Sequence, residues 1–156
     1  MRSLVAFPVF SLLVVCSACR SNLPVEIPGL LSAKLSDEAQ IELVLDDVHQ
    51  GMETRRIYKV LAHVSRNYRD LAGRDYEGIQ EYLKEVFASY REIRITRVRP
   101  RIIVDGRRAR AIETFGTTAK PKDSPNLPFI NLQGQVTVYL ERTNGAWQIV
   151  EWGALH

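Results

Sequence analysis

Beyond Cys16 and Cys19 the 156-residue chain contains no cysteine. A domain built from the remainder has no internal disulfide and no thiolate metal site, so its core alone must hold it together. Histidine is scarce too: His49, His63 and His156 are scattered, with no pair at the spacing of metal ligands. Glycine forms no phosphate-cradling loop, and no serine sits in a nucleophile elbow. The apolar run Leu4–Val15 is too short for a spanning helix, which needs about 20 such residues. Internal repeats and low-complexity tracts are absent. No metal, no cofactor and no nucleic-acid partner is expected, the last because no aromatics are interleaved with the basic residues.

What is present begins with an address. Arg2 supplies a positive start, Leu4–Val15 an apolar core, and Ser17-Ala18 two small residues directly before Cys19. This is the layout of an export signal, and ending on small-small-Cys it resembles a bacterial lipoprotein signal. The resemblance implies that residues 1–18 are removed and Cys19 is lipidated as the new N-terminus. The place three before Cys19, where that signal usually carries Leu, is Cys16. Ordinary secretion with cleavage near Ala18, or an uncleaved apolar N-terminus, is the alternative. Arg20 in place of Asp implies, by resemblance to enteric sorting rules, the outer membrane facing the periplasm. Attachment by more than one acyl chain would be stable. Residues 19–35, with Pro24, Pro28 and Gly29, read as a flexible tether.

One domain is expected over residues 36–156. Ser36 offers a helix N-cap, with Asp37 and Glu38 in the first turn and Ile41, Val44, Leu45, Val48 and Met52 at helical spacing. A shorter helix is read from Ile57, Val60, Leu61 and Val64. A third follows Asp75, with Ile79, Tyr82, Leu83, Val86, Phe87 and Tyr90 on one stripe. After Tyr90 the period changes from helix to strand. A bulge near Thr96-Arg97 accounts for a switch of faces between Ile93 and Val104, and Asp105-Gly106 turns the chain into a strand over 107–118. Residues 119–128, rich in proline, form a connection. Ile130 to Leu140 alternate, Asn144-Gly145 turns, and Trp147 to Leu155 closes the sheet. The result is an α+β domain, helices packed on one curved antiparallel sheet.

This order resembles the nuclear-transport-factor-2-like (SnoaL-like) fold. The local cues are Ile57-Tyr-Lys-Val-Leu-Ala-His-Val-Ser-Arg-Asn-Tyr-Arg-Asp70, then Gly73-Arg74, Glu77-Gly78-Ile79, and the closing Asn144-Gly-Ala-Trp-Gln-Ile-Val-Glu-Trp152. The resemblance implies three N-terminal helices against a curved sheet, with a cone-shaped pocket between them. Some members resemble ketosteroid isomerase, whose pocket holds an Asp base. By that resemblance Asp70, at the end of a short first strand, is the candidate base and Tyr68 its assistant. Glu113, in phase with Ala109, Ala111 and Phe115, is a buried carboxylate candidate whose pKa would rise. The first helix carries no Tyr on its apolar stripe for the oxyanion, and His49 lies only at the stripe's edge. The plainer readings are a turn for Asp70, packing for Tyr68 and a surface ion pair for Glu113.

Charge is segregated. Arg91 to Arg110 holds eight arginines against Glu92 and Asp105, whereas Leu35 to Thr54 has six acids and no Lys or Arg. Arg97, Arg99 and Arg101 share one strand face, an outer stripe that would dock an anion or an acidic partner, or simply be solvated. Strict alternation puts Trp147 and Ile149 on one face of the last strand, Val150 and Trp152 on the other. A homodimer through the sheet would cover an outward Trp152. The leading expectation is thus a lipid-anchored envelope protein, a non-catalytic module that binds a small apolar ligand or supports an assembly. The alternative is a pocket enzyme of the isomerase or dehydratase kind with Asp70 as base.

Overall fold

A computed structural model of the chain describes residues 35–122 and 126–156. The signal, Cys16, Cys19 and the tether up to residue 34 lie outside the described residues. Helix α1 (Asp37–Glu53) is followed by α2 (Ile57–Leu61) and α3 (Tyr76–Ser89). Five strands follow: β1 (Tyr90–Arg97), β2 (Arg101–Asp105), β3 (Arg108–Pro121), β4 (Ile130–Thr143) and β5 (Ala146–Leu155). The sheet is antiparallel in the order β1-β3-β4-β5, and β2 continues along the β1 side by pairing with β3.

The helix starts follow from local chemistry. Ser36 accepts a hydrogen bond from the Ala39 amide at 3.2 Å, and Asp75 accepts one from Gly78 at 2.9 Å. Each satisfies an amide that has no partner in the first helical turn. The apolar stripes then face the sheet. Ile41, Leu45 and Val48 of α1, Val60 and Leu61 of α2, and Ile79, Leu83 and Phe87 of α3 are buried with Ala111, Val138, Leu140 and Ile149. Each large side chain removed from water this way contributes roughly 1.5–3 kcal/mol. At the β4–β5 turn both Asn144 and Gly145 have positive φ, 51° and 84°, the left-handed pair that a two-residue hairpin demands. In the β2–β3 hairpin Asp105 pairs with Arg108, so the turn residues are Gly106 and Arg107 rather than Asp105 and Gly106.

Three local expectations change. The bulge in β1 falls between Arg91 and Arg94, where Glu92 takes a positive φ, and not at Thr96-Arg97; the later switch of faces is a break over residues 98–100. The short first strand is a single parallel bridge, Val64 to Ile149. Three backbone bonds nevertheless pin this irregular segment to β5: Ser65 to Ile149, Ile149 to His63, and Arg69 to Val150, at 2.8, 2.8 and 3.0 Å. Finally, the β4–β5 ladder slips twice, between Val136 and Val138 and between Tyr139 and Leu140. Each slip reverses the alternation, because side chains repeat every two residues. Ile149, Trp152 and Leu155 therefore stand beside Leu140, Val138 and Val136, on the inner face. Trp152 points into the fold, so the argument that a second copy must cover it falls away.

Candidate active site

The inner face of β3 carries Ala109, Ala111, Glu113, Phe115 and Thr117 in one phase. Beside Glu113, Phe115 and Thr117 lies a cavity of about 360 Å³. Its walls come from Val48, His49 and Met52 on α1, Val60 on α2, Ile79, Tyr82 and Leu83 on α3, and the inner faces of all the long strands. Trp152 and Leu155 reach it because of the slips in β5. Most of the wall is apolar, and its titratable groups are His49, Tyr68, Arg74, Tyr82 and Glu113. Such a volume is at the lower end of the range for small-ligand sites.

Glu113 is 1% exposed. His49 Nε2 lies 3.5 Å from its Oε2, and Arg97 Nη1 lies 3.6 Å from its Oε1. Neither contact is a hydrogen bond, and Oε1 has no hydrogen-bond partner among the described residues. Arg97 is shared: its other terminal nitrogen pairs with Asp46 of α1. Burial pushes the Glu113 carboxyl up to about 7, against the pull of Arg97. Burial also pushes the His49 imidazole down from its ordinary 6.5, and the charge of Glu53 only partly opposes this. Near neutral pH the cavity thus holds a neutral imidazole beside a carboxyl that is partly protonated, a base and an acid within one small space.

Asp70 is in a different situation. It is 7% exposed and lies behind the cavity wall, with Tyr68 and Arg74 in front of it. Its Oδ1 accepts from the amides of Ala72 and Arg74, at 3.0 and 2.9 Å. Its Oδ2 accepts from Arg74 Nε at 2.7 Å and from the Tyr68 hydroxyl at 3.2 Å. Four donors occupy the four lone-pair sites of a carboxylate. Burial alone would raise its pKa, but the bonds from Arg74 and Tyr68 and the guanidinium charge win and hold it below 3.8. In this geometry Asp70 has no free acceptor for a substrate proton. Tyr68 is committed as well: its one O–H points at Asp70, and burial together with that carboxylate pushes its pKa up.

The structure therefore brings Tyr68 and Glu113 to one cavity and leaves Asp70 behind the wall. Of the arginine stripe, Arg97 turns inward to Asp46 and Glu113, while Arg99, 3.1 Å from Glu42 of α1, and Arg101 both stay exposed. The basic strand and the acidic helix meet each other across the fold. His49, Arg74 and Tyr82 are the site residues that sequence reasoning passed over. A histidine on the flank of an apolar stripe, set against an inward-phase glutamate, is the signal that would have marked the first.

No protein-family model and no curated protein sequence matches the chain. Solved structures do. An NTF2-like superfamily protein from Salmonella enterica is 17% identical, aligned over 74% of this chain and 87% of its own, with a TM-score of 0.63. A type 2 hexachlorocyclohexane dehydrochlorinase is 16% identical over 76% and 84%, with a TM-score of 0.64. A provisionally assigned dehydratase of the NTF2-like family from Streptomyces avermitilis is 12% identical over 75% and 93%, at 0.63. The described residues thus adopt the NTF2-like fold, at identities that establish the architecture and leave the chemistry to be argued from the cavity.

Proposed function

We propose that the cavity takes a small, largely apolar carbonyl compound and moves protons on it, as a dehydratase or isomerase does, with His49 as base and Glu113 as acid. The observation that carries this reading is a carboxyl that is 1% exposed, lines the cavity and leaves Oε1 without a hydrogen bond. A buried polar atom without a partner costs about 1–3 kcal/mol, and a bound ligand is the natural partner for it. The names of two proteins of similar fold, a dehydratase and a dehydrochlorinase, support an elimination chemistry.

In a dehydration, neutral His49 takes the proton from the carbon next to the carbonyl, and the electron pair forms the new carbon–carbon double bond. Protonated Glu113 gives its proton to the departing hydroxyl, which leaves as water. His49 and Glu113 then exchange one proton across 3.5 Å, directly or through that water, which resets both groups. The base must be free, above its lowered pKa, and the acid must be protonated, below about 7. The rate is therefore bell-shaped in pH, falling on the acid side as His49 takes a proton and on the alkaline side as Glu113 loses its own near 7, with limbs that belong to the pair rather than to either residue alone.

The test follows deuterium entry into phenylacetone in deuterium oxide by NMR, and loss of water from a benzylic β-hydroxy ketone by absorbance. Wild type should turn over, and His49→Gln should lose about 10²–10⁴-fold, the usual contribution of a positioned base. No turnover by wild type, or full turnover by His49→Gln, returns the non-catalytic binding module to first place. We also propose that the domain is carried on the outer membrane through a lipid at Cys19, facing the periplasm. Cys19→Ser should move the protein from the membrane fraction to the soluble one; an unchanged distribution overturns that reading.

A further inference from the structure

Among the described residues, Arg74 is the only lysine or arginine in the wall of the cavity. Its guanidinium is held from two sides. Behind it, the buried Asp70 carboxylate accepts from Nε at 2.7 Å; beneath it, the Tyr82 ring lies 4.5 Å from the guanidinium carbon. Asp70 is itself fixed by the Ala72 and Arg74 amides and the Tyr68 hydroxyl. The hydrogen bonds among the described residues use Nε alone, so the two terminal nitrogens have no protein acceptor. The side chain is 38% exposed, open to whatever enters. A stacked and back-bonded guanidinium loses little freedom when it binds, which is what makes an arginine selective rather than merely charged.

We infer that Arg74 is a carboxylate clamp, and that the natural ligand of the cavity is an aryl or alkyl carboxylic acid whose apolar body lies against the wall. The terminal nitrogens of one guanidinium match the two oxygens of one carboxylate in a paired, in-plane geometry. A phosphate dianion would call for a second lysine or arginine, and the described residues of the wall supply none. Glu113, largely neutral at slightly acid pH, does not repel an anion. Asp70 then has a positioning role: it orients Arg74 and touches no ligand. The inference deepens the reading of the cavity as a small-molecule site and rests on it.

Isothermal titration of the full-length chain with trans-cinnamate and with cinnamamide tests it. The two probes have the same shape and differ in charge. Cinnamate should bind at least tenfold more tightly than the amide. Arg74→Lys keeps a cation beside Asp70 but loses the fork, and should reduce the preference to about threefold or less while amide binding stays. His49→Gln should keep the full preference whatever it does to proton transfer, which separates the clamp from the chemistry. Equal affinity of wild type for acid and amide, no binding of either, or an undiminished preference in Arg74→Lys overturns the inference. If Arg74→Lys is unfolded by circular dichroism, the wild-type comparison alone decides.

Discussion

Two carboxylates, Asp70 and Glu113, are almost equally hidden from water, yet their acidities move in opposite directions. Asp70 receives four hydrogen bonds, one of them from a guanidinium, and is held ionised. Glu113 receives none from the described residues, and its two neighbours, the neutral His49 ring and the Arg97 guanidinium, stand at 3.5 and 3.6 Å. The lesson is that burial alone does not decide the charge of a carboxyl: it raises both groups, and the donors and the guanidinium charge around Asp70 outweigh it there, whereas Arg97 alone does not at Glu113. A fully bonded acid stabilises the fold and has nothing left to offer a substrate. An acid without donors weakens the fold and is free to react.

The sharpest way to break this comparison is Asp70→Ala. It leaves the guanidinium of Arg74, the Tyr68 hydroxyl and two amides without their acceptor, and should cost about 3–5 kcal/mol in urea unfolding. A loss under about 1 kcal/mol would mean that the four bonds are not what secures the segment. Asp70 also gives wild type a sensitivity to acid. Its folded pKa is depressed, so its contribution is present above about 3.8 and is lost as pH falls through the folded value.

Glu113→Gln should do the reverse. The folded pKa of Glu113 is raised, so its penalty is absent below about 4.5, grows as pH rises to about 7, and is constant above that. Wild type and Glu113→Gln should have similar stability near pH 4. At pH 8 the variant should be more stable by about 3 kcal/mol, the free energy of a shift of that size, while losing turnover. A variant less stable than wild type at pH 8 would show that the carboxylate is better accommodated than its missing donors imply. Smaller still is Tyr68→Phe, which removes one of four donors to Asp70 and should cost about 1 kcal/mol. Arg99→Ala, at an exposed pair with Glu42, should change stability by about 0.5 kcal/mol or less. A larger loss would mean that the meeting of basic strand and acidic helix is a structural bond of the fold.

Much of the architecture was legible because its signals are local. Ser36 and Asp75 cap helices that begin where the capping residues predict, and Asn144-Gly145 makes the turn expected of it. The phase of Glu113 was readable too, since β3 pairs with β4 in unbroken register along its length. What could not be read depends on pairings remote in sequence. The slips in β5 are a property of two strands together, and they turned Trp152 from the outer face to the inner one. Arg97 and Arg99 were read as a face of their own strand, but their partners lie on a helix more than forty residues earlier. Asp70 had the right position and residue type for a base; only its hydrogen-bond partners show that its lone pairs are taken. His49 needed the opposite inference, a flanking residue that a distant strand turns into half of a pair.

The slips in β5 also give the molecule a built-in optical gauge. Trp152 lines the cavity, whereas Trp147, 2% exposed beneath the ring-stacked Arg142, does not. One indole will change its emission when something enters and the other will hold steady, so the native chain, unlabelled, reports on its own occupancy.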